Sequence, residues 1–403
     1  MKRIRIVLPI VLLVLISVVI ILCINIAGKE KETLETDKAG VYSFNYDLNS
    51  RETSAFFINT SSNFMYFTPV EGGIYEYDMI ENKLIDIYEK INTDNTDEII
   101  STVMLYDGKI FSCRGSVDGK SPTKLSLYDP NTEKEEIISE TDAKFQASDA
   151  VISTDGTVFY TVDIIGDGDP EAHLDENGYE CSRSLKCFCL DDKQEVTLVN
   201  GLYSYRIFDD RIYFDKMKPS GALHLYYISF DESKNGTAPH DTGIDVGDDI
   251  NGCMWTVRDG IIYYASDKTK ELRSYNTESD EIKTVFSSDK GIRKFDFLNN
   301  KIVYFTRYRD EGVNAYRSVI CLYDPDSGED KVICKGATEA DKDFDPVSAE
   351  MPFGFAVIPD TEQIVVCSLQ YGIGCTRYYK YDPSGENELI SEISWDYSLS
   401  EEK

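Results

Sequence analysis

Residues 301–305 read KIVYF, and residues 323–333 read YDPDSGEDKVI. An aromatic and aliphatic strand is thus followed by a second strand that ends in Tyr-Asp, a tight polar turn and a short aliphatic strand. The chain carries seven copies of this pattern, and the residue pairs that mark them are Tyr77-Asp78, Tyr128-Asp129, Leu190-Asp191, Phe230-Asp231, Tyr275-Asn276, Tyr323-Asp324 and Tyr381-Asp382. Because Asp-Pro followed by small polar residues favours tight turns, we interpret these Asp residues as turn formers and not as catalytic groups.

The repeat indicates the fold class. Strand-built repeats of this length are typical of a β-propeller, in which four-stranded blades surround a central axis. Residues 41–400 shared among seven copies give about 51 residues each, against ~40–45 for a typical blade. We therefore predict an all-β fold, a seven-bladed β-propeller over residues 41–400. Val41–Asp47 and Ile393–Tyr397 also have extended patterns, and we expect these terminal segments to close the ring.

The N-terminus carries a second signal. A basic tail, residues 1–5, precedes an uncharged run at residues 6–27, and residues 28–40 form a polar linker. At about 1.5 Å rise per residue, such a run spans roughly 33 Å, enough for the ~30 Å hydrocarbon layer. Basic residues before the run keep the tail in the cytoplasm. The sequence therefore predicts an uncleaved transmembrane helix, a single-pass protein of the cell membrane and an extracytoplasmic C-terminal domain.

Two alternatives to this anchor remain open. A cleaved signal peptide has an apolar region of only ~7–15 residues, and the best small-residue cleavage site, Asn25-Ile26-Ala27, is poor. A lipoprotein would use Cys23, but Leu22 stands where the lipid-attachment signal has a small residue. The uncleaved anchor is the preferred interpretation.

The formal net charge of −31 restricts the partners. Nucleic-acid binding needs clusters of Lys and Arg that contact phosphates, so this class is excluded as a default. Metal cations or a basic ligand are favoured by such a charge, although acidity also keeps an exported protein soluble. We expect a monomeric propeller whose partner is a protein, a peptide or a cell-wall component.

The ten cysteines include no CxxC pair, and the chain has three His, so a zinc site is not expected. Two pairs, Cys321 with Cys334 and Cys367 with Cys375, are each equidistant from a predicted turn. They could form bridges across hairpins or stay reduced and pack as small hydrophobic groups. The sequence leaves both alternatives open.

The loop lengths single out one face of the propeller. If the four strands of a blade run antiparallel from axis to rim, the loops after the second strand and the connections to the next blade share one face. The long segments that are predicted to lie there are 164–182, 235–250, 309–317 and 335–351. We call this the insertion face, and we expect binding there because long loops on a rigid scaffold often carry binding sites.

One of these loops combines carboxylates with small residues. Ca²⁺ takes about six to eight oxygen ligands, and Asp167 and Asp169 fit the first and third positions of a calcium loop. Ala172 and Gly178 stand where the turn Gly and the bidentate Glu should be, so a regular calcium loop is excluded. A solvated acidic loop explains the same residues without a metal. The candidate ligands of an irregular Ca²⁺ site are Asp163, Asp167, Asp169 and Asp175.

The other insertions are also acidic and are flanked by tyrosines. Asp241 and Asp245 belong to one acidic series, and a second lies between residues 339 and 350. Together they predict a negative rim that steers a basic ligand, and the tyrosines offer a stacking surface for a sugar or a peptide. Acidity spread over the whole surface, and tyrosines that only cap a loop, explain the same residues without a ligand. The candidate ligand-contacting residues are Tyr308, Tyr371, Asp343 and Asp345.

The sequence contains no recognisable catalytic motif: a Gly-x-Ser-x-Gly elbow, a Walker loop and a His-Glu-x-x-His sequence are all missing. His173, His224 and His240 are far apart in sequence, and His224 is predicted to be structural. We therefore expect no enzymatic activity. Glycoside cleavage needs only two carboxylates about 5–9.5 Å apart, so a carboxylate-based enzyme stays an alternative.

The segments Gly73–Asp78 (GIYEYD) and Arg377–Asp382 (RYYKYD) resemble the repeats of exported bacterial propellers. They are similar to YWTD-like and TolB-like repeats and to an uncharacterised clostridial surface family. The resemblance covers about residues 41–400 and implies the propeller architecture, but it carries no functional residues. No copy contains the complete YWTD tetrapeptide.

Two functions are compatible with these observations. The first is a membrane-tethered extracytoplasmic module that binds or scaffolds a protein, peptide or cell-envelope ligand through the insertion face. The second is a carbohydrate-active enzyme, a glycoside hydrolase or a lyase, with paired carboxylates in the propeller channel. The lack of a catalytic motif favours binding.

Overall fold

The structure is a computed structural model, and some of its residues are described by the backbone alone. The described residues are 57–60, 64–67, 75–78, 83–86, 98–116, 122–141, 145–164, 182–218, 222–248, 255–266, 270–309, 316–345, 348–358, 362–370 and 375–394. These residues form an all-β domain built from four-stranded antiparallel sheets.

The first sheet contains β1 (Phe57–Thr60), β2 (Phe64–Phe67), β3 (Tyr75–Asp78) and β4 (Lys83–Asp86). The second contains β5 (Glu98–Tyr106), β6 (Lys109–Ser116), β7 (Lys124–Asp129) and β8 (Lys134–Glu140). The third contains β9 (Phe145–Ile152), β10 (Thr157–Ile164), β11 (Arg183–Cys189) and β12 (Val196–Asn200). The fourth contains β13 (Tyr205–Phe208), β14 (Arg211–Met217), β15 (Ala222–Ser229) and β16 (His240–Asp248), with the short helix α1 (Phe230–Lys234) before β16.

The fifth sheet contains β17 (Trp255–Arg258), β18 (Ile261–Ser266), β19 (Glu271–Asn276) and β20 (Glu281–Ser287). The sixth contains β21 (Lys294–Leu298), β22 (Lys301–Arg309), β23 (Tyr316–Asp324) and β24 (Glu329–Lys335). The seventh contains β25 (Met351–Val357), β26 (Ile364–Gln370), β27 (Cys375–Tyr381) and β28 (Asn387–Ser394).

The order of strands within each sheet follows the order of the chain, and every neighbouring pair is antiparallel. The first strands of neighbouring sheets contact one another: β5 contacts β9, β13 contacts β17, and β21 contacts β25. The first strand of each sheet is therefore the innermost, which is the arrangement of a propeller.

The hydrophobic core lies between neighbouring sheets. Between the fourth and fifth sheets, Tyr213 and Leu225 pack with Trp255 and Val257, all of which are almost completely buried. Aromatic and β-branched side chains suit this position because strands that are packed between neighbouring sheets are covered on both faces.

The outer edges of the sheets carry a repeated irregularity. The ladder between the third and fourth strands is interrupted by a register shift in the second to seventh sheets, for example between Ile320 and Cys321 in the sixth. Bulges and charged residues on an outer strand hinder pairing with another chain. The charged sequences of the outer strands, such as EDKVICK in β24, serve the same purpose.

The structure corrects the prediction of a seven-bladed propeller with a transmembrane helix. Six sheets, β5 to β28, are full blades, in each of which at least three strands have five or more residues. The first sheet has strands of four residues each, so the first copy of the repeat does not form a blade equivalent to the others. Within the described part of the chain, none of the helices has the length and apolar character needed to span a membrane. The predicted span at 6–27 lies outside the described residues.

The prediction that the chain termini complete a shared blade is not met by the described strands. Ile393 and Ser394 belong to β28, which pairs with β27 of its own sheet, and Val41–Asp47 lies outside the described residues. Each sheet takes its four strands from consecutive chain. The first and last sheets meet through the contact of β1 with β25.

The outer part of the fourth sheet also differs from the prediction. Segment 235–250 was expected to be a loop, but β16 occupies most of it, because buried Ile244 and Val246 alternate with more exposed polar residues. Phe230 and Asp231 do not end a strand but begin α1, whose first turn is fixed by a capping box between Ser229 and Glu232.

The four cysteines of the predicted hairpin pairs are buried, and none of them forms a disulfide bond. Cys334 lies opposite Ile320 and not Cys321, since the register shift in this ladder moves the two cysteines out of line. Cys375 lies opposite Gln370. The reduced alternative is therefore the one that the structure supports.

Candidate functional site on the insertion face

The strand order places the loops after each second strand and the connections between sheets at the same end of the domain. The connection between β24 and β25 belongs to this insertion face, as predicted. Residues 165–181 and 310–315, which join strands at the same end, lie outside the described residues.

A group of cationic and aromatic side chains lies at the insertion-face end of the sixth sheet. We call it the sixth-sheet cluster; its members are Lys290, Arg293, Lys294, Arg307, Tyr308, Arg309 and Tyr316. Five of the seven are Lys or Arg, although the chain as a whole has a net charge of −31. The sequence-predicted negative rim therefore also contains cations at this end of the sixth sheet.

Ring contacts join two pairs of residues within the cluster. The Lys290 ammonium group lies 5.8 Å from the ring centre of Tyr308, and the Arg307 guanidinium group lies 5.4 Å from that of Tyr316. Such cation–π contacts stabilise a charged side chain without neutralising it. The Thr306 hydroxyl donates to the Lys290 carbonyl at 2.8 Å and fixes the connection against β22.

The register of β22 and β23 sorts these side chains between the two faces of the hairpin. Arg309 lies opposite Tyr316, while Tyr308 lies opposite Arg317. Since side chains alternate along a strand, Arg307, Arg309 and Tyr316 share one face and Tyr308 lies on the other. Tyr316 is 55% exposed, and Arg307 and Arg309 are also exposed, so this face is accessible to a ligand.

Tyr308 was a candidate from the sequence, and the structure places it in this cluster, half buried against the core between the fifth and sixth sheets. The second candidate tyrosine, Tyr371, lies outside the described residues. The cations next to Tyr308 were missed. The sequence TRYR at 306–309, with Arg on both sides of Tyr, is the signal that could have indicated them.

The acidic connection after β24 is partly tied down by a buried arginine. The two terminal guanidinium nitrogens of Arg317, Nη1 and Nη2, donate hydrogen bonds to the carboxylate of Asp341 at 2.8 and 3.0 Å. Asp343 and Asp345, the two candidates in this connection, are exposed, and Asp345 accepts a hydrogen bond from the Ser348 hydroxyl at 2.7 Å. In this acidic series, the charge of Asp341 is therefore balanced by Arg317, whereas Asp343 and Asp345 are exposed to solvent.

Of the candidate calcium ligands, only Asp163 is a described residue. Its two oxygens accept hydrogen bonds from Arg183, from Nε at 2.7 Å and from Nη2 at 2.9 Å. Asp149 approaches the same guanidinium at 3.7 Å, and its φ of 49° is uncommon for a residue other than Gly. A cavity of about 90 Å³ lies beside Asp163 and Arg183 and is also lined by Tyr203.

The other predicted ligands, Asp167, Asp169 and Asp175, lie outside the described residues. Among the residues that the structure describes, no three His, Cys, Asp or Glu side chains are grouped so that they could hold a metal ion. The calcium site therefore stays a prediction.

Asp241 and Asp245 of the fourth sheet have partners within the sheet and do not form a free rim. His224 on β15 lies between two carboxylates of β16, with Nε2 2.6 Å from Asp241 and Nδ1 2.5 Å from Asp245. Lys218 Nζ lies 2.5 Å from Asp245 as well. The prediction that His224 is structural agrees with these contacts.

A buried carboxylate lies beneath this end of the fourth sheet. Asp215 is 1% exposed and accepts hydrogen bonds from the Trp255 indole at 2.7 Å, the Ser204 backbone N–H at 2.6 Å and the Ser204 hydroxyl at 3.0 Å. Burial raises the pKa of Asp215 to about 6, because desolvation outweighs these hydrogen bonds and the nearby Arg206. Through its hydrogen bond with Trp255, the Asp215 carboxylate links the fourth sheet to the fifth.

No known protein family matches the chain by sequence, and no curated protein matches it either. Solved structures are similar in fold. One comes from a study of two prolyl endopeptidases, with a TM-score of 0.57 and 6% identity; it matches 85% of this chain, which spans only 50% of that protein. An oligogalacturonate lyase in complex with manganese has a TM-score of 0.51 and 13% identity over 81% of this chain and 85% of the lyase.

The oligogalacturonate lyase of Vibrio parahaemolyticus is similar over 86% of this chain and 92% of its own, with a TM-score of 0.54 and 15% identity. Likeness at such identities shows the β-propeller fold alone. The narrower resemblance to YWTD-like, TolB-like or clostridial surface repeats therefore stays a prediction. The prediction of a protein without enzymatic activity is corrected, because the similar structures are those of enzymes and this fold is compatible with catalysis.

Proposed function

We propose that this propeller binds an anionic carbohydrate chain of the cell envelope through the sixth-sheet cluster. The observation that carries the proposal is the concentration of five Lys and Arg residues and two Tyr at one end of one sheet in a strongly acidic chain.

The chemistry of the cluster fits a chain of acidic sugars. Guanidinium groups bind carboxylates through paired hydrogen bonds, and an exposed tyrosine offers a flat apolar surface against which a sugar ring can pack. Arg307, Arg309 and Tyr316 combine both groups on one accessible face. A neutral sugar would use the tyrosine only, so charge is expected to decide the specificity.

The fold comparison is in keeping with this ligand class. Two of the similar structures are lyases named for oligogalacturonate, an acidic sugar chain. Shared fold does not transfer a substrate, and the proposal rests on the cluster itself.

Binding can be measured by calorimetry with the full chain and polygalacturonate fragments, and with neutral dextran as a comparison. Replacing Arg307 and Arg309 by Ala together is expected to weaken the affinity for polygalacturonate by about tenfold or more, equivalent to about 1.4 kcal/mol. Added salt should weaken the wild-type interaction because the contacts are exposed to solvent.

The matched control replaces Lys134 and Lys283 by Ala. These residues lie on the outer strands β8 and β20, are exposed, and change the net charge by the same amount. Equal losses of affinity in the two double variants would show that only the overall charge matters. Absence of binding to the wild-type chain would refute the proposed function.

A second candidate, cleavage of the bound chain, is favoured by one observation: the carboxylates of Asp149 and Asp163 both approach Arg183 on the insertion face. Two neighbouring carboxylates are the minimum for glycoside cleavage. Incubation followed by sizing of the polygalacturonate tests this activity. Under this hypothesis Asp149→Asn stops the shortening of the chain while binding persists, and unchanged chain length with the wild type excludes it for this substrate.

A further inference from the structure

A buried arginine adjoins the sixth-sheet cluster on the chain. Arg317 is 2% exposed. Its guanidinium donates to the Gly336 carbonyl at 2.6 Å, to the Thr338 hydroxyl at 2.7 Å and to both oxygens of Asp341. The first turn of the connection after β24 is therefore fixed to β23 by one side chain.

The position of Arg317 relates these contacts to the cluster. It follows Tyr316 directly, and it lies opposite Tyr308 in the ladder of β22 and β23. The end of the hairpin that bears the cluster is thus joined to the connection that bears Asp341. A shift of either segment would move the tyrosines relative to the cations.

The charge of Asp341 is compensated in this arrangement. Its carboxylate accepts two bonds from Arg317 and one from the backbone N–H of Thr338 at 2.9 Å, and Lys335 lies 3.9 Å away. The hydrogen bonds from Arg317 and then from Thr338 lower the pKa of Asp341 to about 2, so it stays ionised at every pH at which the protein would work.

We infer that Arg317 and Asp341 are a positioning pair for the anionic ligand: Arg317 fixes the connection beside the cluster and offsets the carboxylate that would otherwise repel the ligand. This inference rests on the proposed function. Neither side chain needs to touch the ligand, because the effect acts through the placement of Tyr316 and through the local charge.

The test is a double-mutant cycle on the full chain, with polygalacturonate fragments as the probe. Arg317→Gln should weaken binding by about threefold to tenfold, because it leaves Asp341 uncompensated. Asp341→Asn should bind at least as tightly as the wild type. The double variant should recover most of the affinity that Arg317→Gln loses.

A purely structural role predicts a different result. In that case Arg317→Gln lowers the melting temperature but leaves the affinity of the folded protein unchanged, which would overturn the inference. Arg206→Gln is the control, because Arg206 is also almost completely buried but lies in the fourth sheet. It should lower the melting temperature without changing the affinity.

Should Arg317→Gln fail to fold, Arg317→Lys replaces it in the test. Lysine keeps the positive charge but cannot form the paired bonds to Asp341, so stability should fall while most of the affinity remains. A loss of affinity as large as that expected for the Gln variant would contradict the role of charge compensation. If the wild-type chain does not bind polygalacturonate, both the proposed function and this inference are refuted. If the wild type binds and the variants of the cycle bind with the same affinity, only the inference is refuted.

Discussion

The ion pairs of β16 in the fourth sheet and the sixth-sheet cluster both lie at the insertion-face end, but the partners of their charged groups differ. In the fourth sheet, Lys218 and His224 are paired with carboxylates of β16. In the sixth, Lys290 and Arg307 lie over tyrosine rings instead. The first arrangement neutralises the cations within the sheet, and the second leaves their charge available to a ligand.

The outermost strands of the two sheets also differ. In the fourth sheet, Asp245 of β16 stands opposite His224. In the sixth, Cys334 and Lys335 of β24 stand opposite Ile320 and Val319 of β23. The fourth strand thus supplies a carboxylate beside His224 in the fourth sheet, whereas the end of β24 supplies none opposite Val319 and Ile320. We expect changes in the fourth sheet to alter stability and changes in the sixth-sheet cluster to alter binding.

The largest expected effect concerns Asp215 in the fourth sheet. Asp215→Ala should lower the free energy of unfolding by about 4 kcal/mol at pH 5, because it leaves buried donors of Trp255 and Ser204 without an acceptor. Urea denaturation measures this loss. Asp289→Ala, at an exposed position, is the control and should change stability by less than about 0.5 kcal/mol. The folded Asp215→Ala variant should bind polygalacturonate with unchanged affinity. A loss of affinity would contradict the assignment of stability to the fourth sheet and of binding to the sixth-sheet cluster.

The pH dependence of stability is the next largest effect. Since burial raises the pKa of Asp215 to about 6 from an ordinary 3.8, the native state holds more protons than the unfolded state between these values. Stability must then fall as pH rises through this window, by about 3 kcal/mol for this group. The difference in unfolding free energy between the wild type and Asp215→Asn should decrease by most of that amount between pH 4 and 7. A constant difference would show that Asp215 has an ordinary pKa.

The smallest effect is expected at the ion pairs of β16. Burial acts to raise the pKa of Asp241 and Asp245, but hydrogen bonds from His224, Lys218 and the backbone outweigh it and lower both values. Carboxyl groups with lowered pKa stabilise the fold above their ordinary pKa, and this contribution is lost as pH falls through the folded-state values. Both carboxylates are more than half exposed, so His224→Ala should cost only about 0.5 kcal/mol at pH 5.

The measurement for His224→Ala is thermal unfolding at pH 5 and at pH 2, and the difference from the wild type should shrink at the lower pH. A loss of several kcal/mol at pH 5 would show that the fourth-sheet ion pairs are far stronger than exposed pairs usually are. In either case, the affinity for polygalacturonate should not change, in contrast to the arginine variants of the sixth-sheet cluster.

Much of the fold follows from local sequence. The segment KIVYF begins β22, and the turn after Tyr323-Asp324 leads into β24, as the pattern predicts. Alternation and turn residues are local signals, so they can be read without knowledge of distant partners. The capping box of Ser229 and Glu232 was also readable, and it would have shown that a helix and not a strand end lies at Phe230.

Less of the candidate site could be predicted. Asp341 was assigned to a free acidic rim, but it is bonded to Arg317, which lies 24 residues away in the chain. Asp241 was assigned in the same way and is paired with His224 across two strands. Sequence shows the type of each charge, whereas its partner depends on strand register.

The sequence by itself determined that this chain folds as a repeated β-sheet protein, because strand alternation and Asp-rich turns act over a few residues. Only the tertiary structure decided which charges are neutralised and which remain available at the insertion face. That outcome depends on which residues of neighbouring strands stand opposite one another. A single register shift, such as the one between Ile320 and Cys321, changes those partners without changing the composition of the sequence.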